Sequence, residues 1–505
     1  MLLNSIITSF SKEEQHKFVR FLEKRNKRHD TKNIELFNYI VNGQLSSKAI
    51  CFQLYGSQKS DAYHALRKRL YQSAIDFTAN TVLQDESSLE MQIMKYLLAS
   101  KSFLQEKKYK VAYNILNKAE ILAKEYHLFT FINEIYSIKI QYAHAYPSIN
   151  FDDLILEFKN NQKQILIEHD LNMVYAKIKK VLNSIAFRRE VLDFQTIFTN
   201  ILRAHNISST SILSFKSLYQ LTTIVSISAF ITKDYLKIEP FLINTYKNLS
   251  SHKSKEKQLY YHIHILYAIA NTLFRNKKFD ESLTYLRVML RHMNMNRQKY
   301  FKSFQLKYNL LLALNLNYNN QQKLAIKTLE PLISKKHPDL ETTLDILLSL
   351  IMFYFQNNDL NNAYKIFSKF YHTDAWYIEK AGIEWVIKKN LTELLLHIEL
   401  HNTNLVESRL LSFKRSYYPY LKEIKQDRVI TYLSFVEMYY KHPQIVTSAD
   451  FKDKIEKSFD WVETHKEDIF VISFYSWLKG KMNKTDLYPT TLTIIEQAQK
   501  ELKPE

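Results

Sequence analysis

Only four glycines, Gly43, Gly56, Gly382 and Gly480, punctuate 505 residues. Ordinary usage would supply about 35. Tight β-hairpins and phosphate-cradling loops use glycine wherever φ must be positive, so this scarcity argues against sheets and nucleotide loops alike. Prolines number only eight. What remains is an all-α chain with few sharp turns. A hydrophobic content of 46% is enough to bury a large core. At about 100–200 residues per domain the length implies roughly three domains, unless short helical units repeat and stack.

Cys51 is the single cysteine, which excludes an internal disulfide and a thiolate-rich metal site. A reducing compartment follows as the expectation, and with it a cytoplasmic location. The opening residues, Met1 to Phe10, lack a basic leader and a small-residue cleavage site, so no secretion signal is expected. The longest charge-free run, Ser217 to Thr232, is interrupted by Gln220, Thr222, Thr223, Ser226 and Ser228. That is short of the roughly 20 apolar residues a bilayer span needs, and it reads as a buried helix.

The formal charge of +19 would attract nucleic acid, acidic protein or anionic lipid. The lysines are dispersed, and Lys- and Asn-rich composition also follows from AT-rich coding. Charge alone therefore selects no partner.

Ser11-Lys-Glu-Glu14 is a capping box that starts a helix carrying Phe18, Phe21 and Leu22 at helical spacing. A basic break from Lys24 to His29 precedes a second helix around Ile34 to Val41, closed by Gly43. From Ser47 a short helix, a turn at Gly56 to Ser60 and a long helix opened by Asp61 follow. Tyr63, Leu66, Leu70, Ala74 and Phe77 share one face of the long helix, away from His64, Arg67, Lys68 and Gln72. Over about 30 residues this resembles a helix-turn-helix or winged-helix element. The resemblance implies nucleic-acid contact through Lys59, Tyr63, His64, Arg67 and Lys68. Residues 1–80 hold 13 Lys and Arg against 7 Asp and Glu. Residues 1–85 are the expected N-terminal helical domain.

Beyond residue 86 a two-helix pattern recurs. Tyr96, Ala99, Ser100 and Phe103 precede Tyr109, Ala112, Leu116 and Ala119. Leu266, Ile269, Ala270 and Leu273 precede Phe279, Ser282, Leu286 and Met289. Leu312, Ala313 and Leu316 precede Ala325, Leu329 and Leu332, and Leu347 to Tyr354 precede Leu360, Ala363 and Phe367. Weaker copies run from Phe230 to Leu242, turning at Lys233 to Tyr235, and from Leu394 to Phe413, turning at Asn404-Leu405. The pattern resembles the tetratricopeptide repeat across residues 86–428. That resemblance implies a superhelical array of antiparallel helix pairs, capped by helices in 429–505. It also implies a concave groove lined by Tyr267, Asn271, Phe274, Arg275, Lys307, Asn317 and Tyr318. The anchors Ser282, Ala325 and Ala363 lie 43 and 38 residues apart, against about 34 in the family, so the array is expected to be irregular. Pro331 and Pro419 are expected to break the chain near repeat ends.

Catalytic chemistry is not legible. Lys479-Gly480-Lys481 lacks the frame of a phosphate loop, and Cys51 lacks a nucleophile signature. His397 and His401 share the spacing of a helical metal pair, but they sit among core-like leucines without a third ligand. His262 and His264 are a still weaker pair. Asp152-Asp153 and Glu13-Glu14 read as helix-start carboxylates. No cofactor, metal or enzyme activity is expected. The sequence favours a scaffold that takes a protein or peptide of acidic character, with a nucleic-acid-binding regulator as the alternative. A peripheral membrane component comes last, since no helix is basic on one side and apolar on the other.

Overall fold

In the computed structural model the described residues are 2–26, 31–43, 46–57, 60–83, 89–188, 215–232, 234–250, 258–334, 337, 339–458 and 467–501. They form helices α1 Leu2–Ser9, α2 Lys12–Arg25, α3 Lys32–Asn42, α4 Ser47–Tyr55, α5 Ser60–Leu83, α6 Leu89–Gln105, α7 Tyr109–Glu125 and α8 Phe129–Gln141. There follow α9 Phe151–Arg188, α10 Phe215–Thr232, α11 Glu239–Ser250, α12 Leu259–Arg275, α13 Phe279–Met293, α14 Phe301–Tyr318, α15 Gln322–Leu329 and α16 Leu340–Gln356. The last eight are α17 Leu360–Phe367, α18 Asp374–Ala381, α19 Ile383–Glu399, α20 Thr403–Glu423, α21 Asp427–Lys441, α22 Ala449–Ser458, α23 Ile469–Asn483 and α24 Leu487–Glu501. No strand occurs among the described residues. The chain is all-α.

It divides into two compact units, Met1–Glu125 with Phe131–Leu154, and Tyr126–Thr130 with Ile155–Glu505. In the first unit, α1 to α5 enclose a core of Leu3, Ile7, Phe18, Leu22, Leu36, Phe37, Leu66, Leu70 and Phe77. Helix α1 lies ahead of the capping box and was not expected. Its Leu3 and Ile7 are buried although the helix is only eight residues long, so packing rather than propensity holds it. The capping box is present, with Ser11 Oγ accepting from the Glu14 N–H and Glu14 accepting from the Ser11 N–H. Gly43 and Gly56 close α3 and α4 with φ of 65° and 67°. Farther along, Tyr113 stacks on Tyr146 at 4.2 Å and donates to the Lys139 carbonyl. The ammonium of Lys139, almost wholly buried, is neutralised by Glu120.

Among the described residues, seven helix ends reverse through the same device. Lys107, Lys277, Asn320, Asn358, His401, Lys425 and Lys484 adopt left-handed backbone, with φ of 55–60°. In each case the next residue's N–H bonds the carbonyl five positions back, as in Lys108 to Phe103, Lys278 to Leu273 and Thr485 to Gly480. This is the Schellman closure, ordinarily built with glycine. The chain turns without glycine by accepting roughly 1–2 kcal/mol of backbone cost at each such position, less at asparagine.

The hairpin pairs are α6/α7 in the first unit and α12/α13, α14/α15, α16/α17, α19/α20 and α23/α24 in the second. The small residues expected at the helix crossings are fully buried: Ala112, Ala270, Ser282, Ala313, Ala325 and Ala363 all have 0% exposure. Ser282 donates to the Ala270 carbonyl at 2.7 Å, fastening α13 to α12. From α12 to α16 each pair packs on the next, α13 against α14 and α15 against α16.

Two local expectations are corrected. The α19/α20 turn falls at His401, not Asn404-Leu405, because His401 takes the left-handed position and α20 has begun by Thr403. Pro419 breaks nothing: it lies inside α20, whose buried Phe413, Tyr417 and Leu421 hold the helix through the missing N–H. Pro331 does sit at an end, in the single 3-10 turn that finishes α15. The expected Lys233–Tyr235 turn lies partly outside the described residues, at Lys233.

The last hairpin packs into two separate cores of the second unit. Ile469 and Ile472 of α23, with Ile494 and Ile495 of α24, join the core of Leu259, Leu266, Ala270, Phe274, Phe304 and Leu311. Farther along α23, Phe474, Trp477, Leu478 and Met482 belong to the core of α16, α19 and α21. Eight such side chains, at about 1.5–3 kcal/mol each, hold the hairpin by more than ~10 kcal/mol. That matches the whole stability of a typical domain, so the hairpin is an integral part of the unit.

Candidate functional site

The seven residues of the expected groove separate into two sets. Phe274, Asn317 and Tyr318 are buried, at 2%, 0% and 3% exposure. Tyr318 Oη lies 3.3 Å from Ser473 Oγ, and the Asn317 carbonyl accepts from Tyr488 Oη at 2.6 Å. Asn317 Nδ2 donates to Gln356, which donates to Ser473. These three are corrected from groove to core, because the C-terminal hairpin covers them. Tyr267, Asn271, Arg275 and Lys307 remain half-buried.

Around Tyr267 the first helices of successive pairs bring charged groups together from distant parts of the chain. Arg275 of α12 pairs with Asp468, the N-cap of α23, and Lys388 of α19 approaches the same carboxylate at 3.6 Å. Tyr267, Arg275 and Asp345 are each half-buried. Burial pushes the Tyr267 hydroxyl up to about 12, with Asp345, Asp339 and Glu341 adding and Arg275 opposing. Burial and the neighbouring Glu341 push Asp345 up to about 7, against Lys388 and Arg275. Burial alone would depress Arg275, but Asp468 and Tyr235 hold it above its ordinary value.

A cleft of about 330 Å³ lies beside Asp468, lined by Lys388, Leu391, Leu421, Arg428, Glu467 and Phe474. Its charges are largely satisfied internally, Arg428 by Glu467 at 2.8 Å and Lys388 by Asp468. Lys277, 1% exposed, donates to the Glu467 carbonyl at 3.1 Å, and burial lowers it to about 8.

Nearer α9 an aromatic cluster gathers. Tyr219 of α10 and Tyr260 of α12 each lie 4.8 Å from the His264 ring, and Phe304 of α14 lies 4.6 Å from it. Tyr175 of α9 completes the row beside Tyr219 at 6.4 Å. Burial lowers His264 to about 4, with Lys307 and Lys179 adding, so the ring is neutral at physiological pH.

In the first unit, Tyr63 is 4% exposed and belongs to the core, which corrects its expected approach to a base. Arg67 is half-buried, donating to Asn4 at 3.1 Å and lying over the Tyr63 ring. His64 and Lys68 are exposed, as is Arg69. Lys59 lies outside the described residues. Cys51 is buried and packs in the core.

The histidine spacing does not make a metal pair. His397 is buried in the last turn of α19, with Nδ1 3.2 Å from Asn402 Nδ2, while His401 sits off the helix as the turn residue. Among the described residues no group of His, Cys, Asp and Glu is arranged to hold a metal ion. Among them, too, no helix is long and apolar enough to cross a membrane.

Sequence reading missed Asp345, Lys388, Lys179 and Asp468 because nothing local marks them. Asp345 and Lys388 sit in helices whose apolar runs dominate the pattern, and Asp468 acquires its partner 193 residues away. No protein-family model matches the chain, and no curated protein and no solved structure shows significant similarity to it.

Proposed function

We propose that the chain is a non-catalytic scaffold, a tetratricopeptide-like superhelical array of helix pairs that binds a partner protein segment on the face formed by its first helices. The observation that carries this reading is the half-burial of ionisable side chains on the first helices of successive pairs. Tyr267, Arg275, Lys307, Asp345 and Lys388 come from α12, α14, α16 and α19, and all are ionisable and only part-buried. Folding alone is better served by apolar residues, since burying charge is costly even when paired. A face of mixed aromatic and charged groups instead suits recognition of a polypeptide, where polar complementarity sets the partner. The docked α23 supports the reading too, as a helix already held on neighbouring residues by an ion pair, a buried hydrogen-bond network and isoleucines.

Affinity purification of the full chain with nuclease treatment, compared with the Tyr267→Ala/Lys307→Glu variant, tests this reading. A protein retained by the first and lost by the second is the expected result. Retention of the same partners by both would contradict it.

A second reading is favoured by α5, where Lys68 and Arg69 are exposed and make no ion pair among the described residues. These would contact nucleic-acid phosphates, with the repeats as a sensor or oligomerisation arm. Binding that falls steeply with salt and is lost in Arg67→Glu/Lys68→Glu would support it.

A further inference from the structure

The two turns that flank α13 differ in how their cations are held. At the α12/α13 turn Arg275 pairs with Asp468 and Lys278 with Glu239. At the α13/α14 turn the sequence supplies no local partner: from Ser282 to Leu329 it carries neither Asp nor Glu, against eight Lys and Arg. Five of these, Arg287, Arg291, Arg297, Lys299 and Lys302, fall between the last two turns of α13 and the first turn of α14, and all five are exposed. Among the described residues Arg287, Arg291, Arg297 and Lys302 make no ion pair.

Ring contacts bring three helix ends together at this turn. His262, near the start of α12, meets His292, at the end of α13, with centroids 4.3 Å apart, and Tyr260 of α12 meets Tyr300, which leads into α14, at 5.6 Å. Tyr260 is 40% exposed, and the Lys299 ammonium lies 5.6 Å from the Tyr300 ring. In the turn itself Asn296, Arg297 and Gln298 occupy three consecutive left-handed positions, with φ of 49°, 53° and 61°, at a backbone cost that glycine would avoid. The Gln298 amide donates to Asn294 Oδ1 at 3.2 Å and braces the turn. Its exposed side chains are cations and amides, with Tyr260 as the exposed ring beside them and no exposed aliphatic residue from Asn294 to Ser303.

We propose that the α13/α14 turn, with the start of α12, is a binding surface for a single-stranded polynucleotide, Arg291, Arg297, Lys299 and Lys302 meeting its phosphates and Tyr260 stacking on a base. The proposal goes beyond the scaffold reading and uses neither Tyr267 nor Lys307. A positive surface attracts any polyanion, so the choice rests on what accompanies the charge. A protein interface concentrates its energy in a desolvated apolar centre from which charged residues are depleted, and the turn offers no such centre. Interfaces with nucleic acid are instead polar and strongly positive, and strand binding adds bases stacked on exposed aromatic rings. Guanidinium groups suit phosphate because their N–H donors engage it in pairs. An anionic bilayer would call for apolar side chains to enter it, and Asn294 to Ser303 expose none.

Labelled single-stranded uridine and thymidine oligomers titrated with the full chain, read by fluorescence anisotropy, test the surface. The wild-type chain is expected to bind, and to weaken by roughly fiftyfold as salt rises from about 50 to about 200 mM, the dependence of about four neutralised phosphates. Arg297→Glu/Lys302→Glu is expected to lose roughly tenfold or more in affinity, whereas Lys68→Glu/Arg69→Glu, which removes the same charge from α5, is expected to stay within about twofold of wild type. Unchanged circular-dichroism melting midpoints establish that both variants are folded. Either oligomer behaving in this way supports the surface, and the tighter of the two names the preferred sugar. No binding by wild type, equal losses in both variants, or a loss confined to the α5 variant overturns it. Polyglutamate of matched charge that binds as tightly as the oligomers and is lost in Arg297→Glu/Lys302→Glu would replace the polynucleotide with an acidic protein and overturn it as well. Failure here leaves the scaffold reading, which is carried by Tyr267 and Lys307, standing.

Discussion

Arg275, at the end of α12, holds Asp468, the residue that caps the start of α23, 193 positions further along the chain. The Asp468 carboxylate does three things at once. It accepts from the Phe470 N–H at 2.8 Å, pairs with Arg275 and faces Lys388. Asp468→Ala is therefore expected to destabilise the second unit by about 3 kcal/mol, combining a lost cap with an uncompensated guanidinium. Asp468→Asn keeps the cap and is expected to cost less. Urea unfolding followed by tryptophan fluorescence reads this directly, since all four tryptophans lie after residue 370.

Gly480 is required for a different reason from the turn glycines. A Cβ there would meet the Thr485 carbonyl oxygen at 2.8 Å, inside the closure that reverses α23 into α24. Gly480→Ala should cost about 1–3 kcal/mol, as overpacking does when backbone is the obstacle. A midpoint unchanged from wild type would show that the α23/α24 turn is looser than described.

The left-handed lysines make opposite predictions. Lys107 is exposed at its turn, so Lys107→Gly relieves backbone cost and should stabilise the first unit by up to about 1 kcal/mol. Lys277 has the same φ, but its buried ammonium ties α12 to the Glu467 carbonyl. Lys277→Gly should therefore be destabilising. Circular-dichroism melts of both variants separate these effects.

Asp345 and His264 give opposite pH slopes. Asp345 rises from 3.8 to about 7 on folding, so the folded chain binds the extra proton and loses stability as pH climbs from about 4 to 7. His264 falls from 6.5 to about 4, so its contribution is complete above 6.5 and is lost on acidification toward 4. Asp345→Asn should gain stability at pH 8 and hardly change it at pH 4. His264→Phe should blunt the loss between pH 6.5 and 4. Unfolding midpoints across that range check both signs.

The helical class was legible because four glycines leave little else, and the crossing positions Ala270, Ser282, Ala325 and Ala363 were legible because close helix contact demands small residues. Their burial at 0% follows from that constraint. The α19/α20 turn was read at Asn404-Leu405 and falls at His401, since a histidine or lysine at positive φ leaves no local mark. Groove membership failed for Phe274, Asn317 and Tyr318 because the covering hairpin lies more than 150 residues away in sequence, at Ser473 for Tyr318. A periodicity argument sees one pair at a time, whereas occlusion by a distant segment is decided by tertiary packing. Tyr63 illustrates the same limit: it was placed on the apolar face and also offered to a base, and the core took it.

The decisive measurement is site-specific photo-crosslinking in the native cell, with a photoreactive amino acid placed in turn at Tyr267, at Lys307 and at the exposed control position Leu411 on α20. A polypeptide captured from Tyr267 and Lys307 but not from Leu411 is the expected result. Capture of the same species from all three, or of nothing from Tyr267 and Lys307, would contradict the assignment of that face to a partner.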